Sequence, residues 1–513
     1  MKNGYKIVLT SDRTLMSDYR GSLFIGFTTC GPKTMINPRL FFTFIAPKMK
    51  TSNGRVKAAP YGLRKIEAAL LSEGFTEDEV ITVNPDDVKD YIGSETRIVG
   101  ISAMDPLGEG PATNTFAGPG GLVKVDSYLA WKFKELVQNI RAYAPHVKIV
   151  VGGSGAWQLK RDAEVRRSLG IDTVLIGESD LTAPQVFKQI IEGVEVPEIV
   201  EEVLVPVDKI PKIKSAAIGG VVEITRGCGR GCDFCIPTMR KLRSRPLEDI
   251  LEEAKVNVQG GERWITLHGE DVLRYKAKGF DLDHNAVVEL FESVNKLEGC
   301  LGVGASHFSL AAACQDPKLL EDVVHAVGIG SSKIKPWMGC QTGVETGSVR
   351  LVKKYMEGKV KPFKPEEWPE IVEQAFAYCH DYKWVPAATL ILGFPDETVD
   401  DIMATLELLD RLKKYKSLIV PLFCVPIAEL ADQPFFGTDR MIKAHWDVFL
   451  SCWDHLKIWL KELAFDHTAG MNPLAGWFIR RFVNYAINKS DRKVREILKS
   501  KRDQAPETPS DFK

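Results

Sequence analysis

The sequence predicts an α/β chain: a doubly wound, Rossmann-like domain, then a partial (β/α)6 barrel, then a mainly helical carboxy-terminal domain. Three observations carry this. Short β-rich apolar runs alternate with helical periodicity over residues 58–193, and several of the runs end at glycines. A second alternating series of six runs follows a stretch at 194–217 that is rich in Pro, Val, Glu and Lys and reads as a linker. Beyond about residue 425, Trp, Phe and Lys recur at helical spacing instead.

Taken in order, residues 1–57 read as an N-terminal extension with two strand-like runs, 6–9 and 40–46, the second aromatic and β-branched, and a polar loop at 48–57. The first domain is expected at 58–205. Leu63, Ile66, Ala69 and Leu70 repeat at helical spacing before Gly74. Strands are expected at 80–83, 98–102, 147–151 and 172–176, helices at 128–141 and from Thr182, and a long loop at 105–121, which holds five glycines and three prolines. The barrel is expected at 216–425, with strands near 221–225, 264–268, 301–308, 338–344, 386–392 and 417–424. Its helices start near Pro246, Asn285, Asp316, Ser348 with Pro365, and Val399. Residues 426–513 form the helical domain, with helices over 444–463 and 477–498 and a frayed tail at 503–513.

Composition narrows the function classes. The 67 Lys and Arg balance 68 Asp and Glu, so the chain lacks the overall basic excess of a nucleic-acid binder. A hydrophobic share of 44% against 26% charged is an ordinary globular balance and argues against wholesale disorder. No apolar run reaches about 18 residues, so no membrane span is expected. The start has no apolar core of signal-peptide length, and a cytoplasmic location follows. Ten cysteines in a chain this long do not make a disulfide framework.

Three of those cysteines fall together. Cys228, Cys232 and Cys235 have the spacing C-x3-C-x2-C directly after a strand, with Gly227, Gly229 and Gly231 interleaved. Three thiolates hold three irons of a [4Fe–4S] cluster and leave the fourth open for a ligand. Glycine lets the backbone wrap closely. The competing reading is a zinc site completed by a distant His or Cys, although zinc motifs more often pair two C-x2-C units.

This segment, with Phe234 before the last cysteine, resembles the signature of the radical S-adenosylmethionine superfamily, and the resemblance runs over about 216–425. It implies that the open iron is chelated by S-adenosylmethionine, which one electron cleaves to a 5′-deoxyadenosyl radical. Gly269 and Glu270, after the second strand, resemble the family's Gly-Gly-Glu segment with His268 in place of the first glycine. The literal Gly260-Gly261-Glu262 lies before that strand and reads as a helix stop. Gly343-Val344-Glu345-Thr346-Gly347-Ser348 resembles the fourth-strand turn, which implies cofactor contacts for Glu345 and Ser348. The run 392–398 resembles the turn near the adenine, which implies Gly393 and Pro395. Taken singly, each is an ordinary strand-to-helix turn with a capping residue.

The amino-terminal half resembles the cobalamin-binding domain of the cobalamin-dependent (class B) radical S-adenosylmethionine methyltransferases, through Pro60-Tyr61-Gly62-Leu63, Ile98-Val99-Gly100-Ile101-Ser102, Val150-Val151-Gly152-Gly153-Ser154 and Ile176-Gly177-Glu178-Ser179-Asp180. Gly152, Gly153, Ser154, Gly177 and Glu178 are the implied cofactor contacts, with Asp105 in a loop beneath the corrin. A plain flavodoxin-like domain shows similar loops. The Asp-x-His-x-x-Gly motif that supplies a histidine to cobalt is absent, since His146 is the one histidine in this half and does not match.

The resemblance implies a [4Fe–4S] cluster, S-adenosylmethionine and cobalamin, passing through methylcobalamin, and methylation of an unactivated carbon. The narrow expectation is a post-translational modification tied to methanogenesis: a glutamine of the methyl-coenzyme M reductase α subunit. The expected partners are thus a protein or peptide substrate and a one-electron reductant such as ferredoxin or flavodoxin. Methylation of a lipid or small metabolite, a cobalamin-dependent radical rearrangement, and a non-catalytic iron–sulfur electron carrier are the alternatives. No general acid or base is assigned, and the catalytic residues stay unknown at this level. Cys30, Cys300, Cys314, Cys379 and Cys452 read as core; Cys340 and Cys424 end strands. His307 on the third barrel strand is either a satisfied core histidine or a cofactor or substrate contact.

Overall fold

A computed structural model describes residues 4–202, 204–331, 336–468 and 473–508. The chain forms two compact units, Met1–Val222 with Arg245–Thr266, and Glu223–Ser244 with Leu267–Lys513. No helix among the described residues is long and apolar enough to cross a membrane.

The first unit is built on six parallel strands: β1 (Ile7–Ser11), β2 (Val80–Thr82), β3 (Ile98–Ser102), β4 (Lys148–Gly152), β5 (Thr173–Gly177) and β6 (Ile199–Glu202), in the order β2-β1-β3-β4-β5-β6. Val, Ile and Leu fill these strands because both faces are covered by helices. One core layer gathers Val8, Val99, Ile149 and Phe133 and the other Ile7, Leu9, Leu63 and Phe187. Three expectations are corrected here. The division at residue 57 does not hold, because β1 is an interior strand paired on both sides. The linker at 194–217 contains β6, whose four residues add the sixth strand. The run 40–46 is not a strand: Phe41–Ile45 is a π-helical turn following Pro38–Leu40. Asn37 caps it by accepting from the Arg39 N–H at 3.0 Å, and Pro38 presets the first turn. Phe41 then stacks on Tyr128 with centroids 4.0 Å apart, so burial decides against the β propensity of the run.

Two loops also carry structure. Residues 48–57 hold a short antiparallel pair, Thr51–Ser52 with Arg55–Val56. The loop 105–121 contains the helix Pro111–Phe116, entered at Gly110-Pro111.

The helix Leu247–Gln259, expected as the first barrel helix, belongs to the first unit. Its Glu253 is fully buried and accepts from Lys65 Nζ at 2.5 Å, Arg245 Nη1 at 2.8 Å and the Tyr61 hydroxyl at 2.7 Å. A buried carboxylate is tolerated only when it is paired in this way.

The barrel strands are β7 (Val221–Glu223), β8 (Trp264–His268), β9 (Gly302–Ala305), β10 (Met338–Glu345), β11 (Trp384–Leu392) and β12 (Leu418–Phe423). They form two three-stranded arrays, β9-β8-β7 and the parallel β10-β11-β12, and a bridge between His307 and Gln341 joins β9 to β10. Six strands in sequential order make the partial barrel expected from the sequence. Two long helices follow, Lys443–His467 and Pro473–Gln504. Of the expected tail at 503–513, residues 509–513 lie outside the described residues.

Candidate functional site

In the second unit the cysteine loop leaves a short neck. Thr225–Arg226 pairs antiparallel with Arg243–Ser244 and closes the segment between them. The three glycines have φ of 72°, 73° and 71° at 227, 229 and 231, values that L-residues with side chains rarely adopt. A methyl group on Gly227 would meet the Lys241 and Met239 carbonyl oxygens at 2.6 and 2.8 Å, so the loop is folded hard onto its own return segment. The Cys228 N–H donates to the Met239 carbonyl at 3.0 Å and the Asp233 N–H to the Tyr355 carbonyl at 2.9 Å.

Burial raises all three thiols, with Cys235 pushed up to about 12, Cys232 to about 11 and Cys228 upward; the neighbouring thiols and Glu270 add to the effect at Cys235. Mutually repelling thiols of this kind ionise on binding a positive metal core. Among the described residues, no group of three His, Cys, Asp or Glu side chains converges on the position of a single metal ion. A zinc ion needs its ligands within about 2.3 Å of one point. Three thiols on one tightly wrapped loop are a donor set that a [4Fe–4S] cluster takes, each thiolate holding a different iron.

Charged groups come to this loop from distant positions. Arg230 is buried; its Nη1 donates to the carbonyls of Lys359 and Lys361, both at 2.9 Å, and its Nη2 to Ser309 Oγ at 2.7 Å. Asp271 is buried and accepts from Ser309 Oγ and, at 3.4 Å, from Arg230. Lys359 donates to Glu345 Oε1 at 2.6 Å. Burial alone would lower the Lys359 ammonium, but Glu345 and the thiols of Cys232 and Cys228 outweigh it and leave the ammonium raised. Sequence reasoning missed Arg230, Asp271, Ser309 and Lys359. Asp271 directly follows Glu270 and Arg230 stands between two cysteines, so both had a local signal; Lys359 had none.

The expected cofactor contacts fall into two groups. Gly269 packs on Thr225, where a methyl would lie 2.4 Å from Oγ1, and its N–H donates to Ser306 Oγ at 3.2 Å. Glu270 is half-buried and close enough to raise the Cys228 and Cys235 thiols. Glu345 is buried at the end of β10 with φ 63°, a left-handed conformation that costs a non-glycine residue about 1–3 kcal/mol. These three stand with the cysteines. Ser348 is used otherwise: its hydroxyl donates to Asp401 and caps the next helix at the Leu351 N–H. Gly393 has φ 84° and donates to Glu397 Oε2 at 2.7 Å. Phe394, between Gly393 and Pro395, stacks on Tyr355 at 5.0 Å and lies 6.0 Å from Phe234 of the cysteine loop. Thus this turn reaches the loop through aromatic packing.

His307 lies 5.9 Å from His268, ring centre to centre, and its Nδ1 is buried with no partner. Burial lowers its pKa against the opposing pull of Glu270.

In the first unit the strand order places the topological switch between β1 and β3, where doubly wound sheets bind ligands at the carboxyl ends of the strands. Next to that switch, the loop after β3 and the loop after β4 run backbone to backbone. A methyl on Gly153 (φ 103°) would meet the Ala103 carbonyl oxygen at 2.5 Å, and one on Gly155 the Met104 carbonyl oxygen at 2.2 Å. Gly153 and Ser154 stay exposed, Gly152 is partly so, and Met104 is exposed beside them. Asp105 does not face outward: it accepts from the Glu109 N–H at 2.8 Å and Gln158 Nε2 at 2.6 Å and so organises its own loop. Gly177 and Glu178 close against β6 and its exit, since a methyl on Gly177 would overlap the Glu202 carbonyl oxygen at 1.5 Å and Glu178 Oε2 accepts from the Val205 N–H at 2.8 Å.

The loop after β1 contributes what the assumed boundary at 57 concealed. Asp12 is buried, accepts from the Thr14 N–H at 2.8 Å, and burial pushes its pKa up to about 6. Cys30 is buried among Asp105 and Thr113 and its thiol is pushed up to about 12, chiefly by burial. Ser11 Oγ is a buried hydroxyl without a hydrogen-bond partner in the protein, and the Thr113 side chain hydrogen-bonds with the Cys30 thiol. The exposed backbone of Gly153, with Gly152 beside it, leaves room for a large planar ligand, as a corrin is.

No family model matches the chain. In sequence it is similar to the tRNA-2-methylthio-N(6)-dimethylallyladenosine synthase of Thermotoga petrophila, 28% identical over 269 residues that cover 52% of this chain and 56% of that protein. The same-named synthase of Clostridium beijerinckii is 31% identical over 43% of this chain and 46% of its own length. The ribosomal protein uS12 methylthiotransferase RimO of Pseudothermotoga lettingae is 29% identical over 44% and 49%. The chain therefore spans about half the length of the curated relatives it matches. In fold it is similar to the radical S-adenosylmethionine methyltransferase TsrM from Kitasatospora setae, solved with cobalamin and a [4Fe-4S] cluster: TM-score 0.55 at 14% identity, over 83% of this chain and 77% of that one. A second TsrM structure, with tryptophan substrate and the analogue aza-SAM, matches with TM-score 0.53 at 13% identity. The structural likenesses support the expected α/β architecture with its helical end.

Proposed function

We propose that this chain is a cobalamin-dependent radical S-adenosylmethionine methyltransferase that methylates carbon. The observation that carries this reading is the pairing, in one chain, of a tightly wound three-cysteine loop at the strand ends of a partial barrel with a doubly wound sheet whose β3 and β4 end in closely packed, glycine-rich loops.

Cys228, Cys232 and Cys235 would hold three irons. Glu270 and Glu345 are the carboxylates set to meet the ammonium or hydroxyl groups of S-adenosylmethionine. Gly152, Gly153 and Ser154 would support the corrin. When bound, these groups supply the 5′-deoxyadenosyl radical and a transferable methyl; the protein's part is to position them and keep water away. Arg230 locks the loop to the segment 358–361, and the Lys359 ammonium offsets the carboxylate of Glu345 beside the thiols.

Methylthio transfer is the second reading, favoured by the sequence similarity to two kinds of methylthio-forming enzyme. It needs a source of sulfur, and the first 227 residues contain a single cysteine, Cys30, so the first unit offers no set of thiols for a sulfur-supplying cluster. The two readings separate in one assay. The chain is produced anaerobically with cobalamin and analysed for metals, and then incubated with methyl-deuterated S-adenosylmethionine. About one cobalt and four irons per chain, with a product heavier by a deuterated methyl group, supports the proposal. Iron without cobalt, or a product that also gains sulfur, overturns it. Peptides carrying a glutamine from the methyl-coenzyme M reductase α subunit are the first substrates to try, on the strength of the sequence resemblance. Lipids and small metabolites come next, and 5′-deoxyadenosine formation excludes a mere electron carrier.

A further inference from the structure

Arg274 stands out among the buried charges of the second unit. It is 2% exposed. Its Nη2 donates to the Gly279 carbonyl at 2.5 Å, and the Phe280 ring lies 4.8 Å from its guanidinium carbon. Its Nε and Nη1 are buried and find no acceptor in the protein. Asp271 is the near carboxylate; its Oδ2 is taken by Ser309 and Arg230, and its Oδ1 is buried but makes no hydrogen bond to Arg274 or any other group. The other near partner is Cys228, whose charge Arg274 feels. On the same side a methyl placed on Gly229 would lie 3.7 Å from Arg274 Nη2, so the cysteine loop passes directly beside the guanidinium.

A guanidinium stays charged in proteins and each of its N–H groups seeks an acceptor. Leaving two of them buried and unmet is unfavourable unless a ligand supplies acceptors. Around the loop the buried cations Arg230 and Arg274 and the partly buried Lys359 face the buried carboxylates Asp271 and Glu345, with half-buried Glu270 beside them. Arg230 is partnered through both of its Nη groups and leaves only Nε unmet, and Lys359 is paired with Glu345. Of these three cations Arg274 leaves two donors unmet, and it stands beside a cluster ligand.

We infer that Arg274 is a positioning residue for the iron–sulfur cluster, donating Nε–H and Nη1–H to its sulfur shell and stabilising the reduced state. The inference rests on the reading that Cys228, Cys232 and Cys235 hold a cluster. The redox step is simple in balance: a one-electron donor protein is oxidised, the cluster gains that electron, and no bond in the chain breaks and no proton moves. A fixed cation with hydrogen bonds to the cluster sulfurs favours the more negative form and raises the potential.

The test compares the full-length chain with R274Q, R274K and the surface control R167Q, all prepared anaerobically without S-adenosylmethionine. Iron per chain and the midpoint potential, followed by electron paramagnetic resonance during reductive titration, are read for each. R274Q is expected to keep its iron and become harder to reduce, with the reduced-to-oxidised ratio at a fixed potential falling roughly tenfold, or about 59 mV. R274K, which keeps the charge but loses the planar fork, is expected to shift in the same direction by less. R167Q should match the wild type. An R274Q protein with full iron and an unchanged potential overturns the inference and leaves the cluster reading intact. A wild-type chain that binds no iron overturns the cluster reading, and this inference with it. Should R274Q shed iron, R274K decides: iron retained with a lowered potential supports the role, and an unshifted potential overturns it.

Discussion

Lys359 Nζ lies 2.6 Å from Glu345 Oε1, and the acceptor is a residue held in left-handed backbone conformation. The pair joins the end of the fourth barrel strand to the helical segment after it. Both side chains are largely buried, so neither has water to fall back on. Removing one partner strands the other. The Lys359→Ala variant should lose about 3 kcal/mol of stability in urea unfolding. Glu345→Gln, which keeps the shape and one acceptor, should lose less. Unfolding midpoints for Lys359→Ala equal to those of the wild type would show that the pair contributes nothing.

The three cysteines are expected to act as a set. Cys228→Ser, Cys232→Ser or Cys235→Ser should each cut iron after anaerobic reconstitution to below about a tenth of the wild-type content. Cys379→Ser, at a fully buried position in a helix facing the barrel core, should keep its iron. Iron analysis with the visible spectrum reads both. Full iron in any of the three loop variants would remove that residue from the ligand set.

Glycines in the loop separate two kinds of constraint. At Gly227, alanine meets both backbone strain and two carbonyl oxygens under 3 Å away. At Gly231 it meets the strain alone, since nothing lies within 4 Å. Gly231→Ala should lose about 1 kcal/mol and still bind iron. Gly227→Ala should lose more stability and most of its iron. Equal behaviour of the two would mean that the close approach at Gly227 is readily relieved.

Two buried groups, one in each unit, should give the protein opposite responses to acid. Asp12 has its pKa raised by burial from 3.8 to about 6, so its ionised form is penalised in the folded state. That penalty is fully present above about pH 6 and is relieved as the pH falls towards 4, a gain of up to about 3 kcal/mol. His455 is depressed by burial from 6.5 to about 4. Its neutral form fits beside Ser417 at 2.8 Å, so the stability it supports is present above pH 6.5 and lost as the pH falls through about 4. Asp12→Asn should abolish the gain and His455→Gln the loss, each read from unfolding midpoints between pH 4 and 7.5. A wild-type-like pH profile in either variant would assign the effect elsewhere.

Much of this chain was legible as a sequence because the features concerned are local. The spacing of Cys228, Cys232 and Cys235 with their glycines is a statement about a dozen consecutive residues. Strand and helix periodicities likewise placed the barrel elements, as with Trp264–His268. Ser348 shows the limit of motif reading, since the same turn pattern that suggests a cofactor contact is satisfied by a helix cap tied to Asp401.

Read along the chain, the residues already showed the chemistry on offer: three cysteines at C-x3-C-x2-C spacing, carboxylates at strand ends, and two alternating series that form parallel strands. Tertiary structure alone decided which distant residues surround that chemistry. It seated Ile7–Ser11 between β2 and β3, turned Phe41 into a helical partner of Tyr128, and brought Lys359 and Arg274 to the cysteine loop. The reason is physical. Backbone preference and capping act over a few residues and can be read along the chain, whereas a buried charge or a strand neighbour is selected by competition among all the surfaces the folded chain can pair.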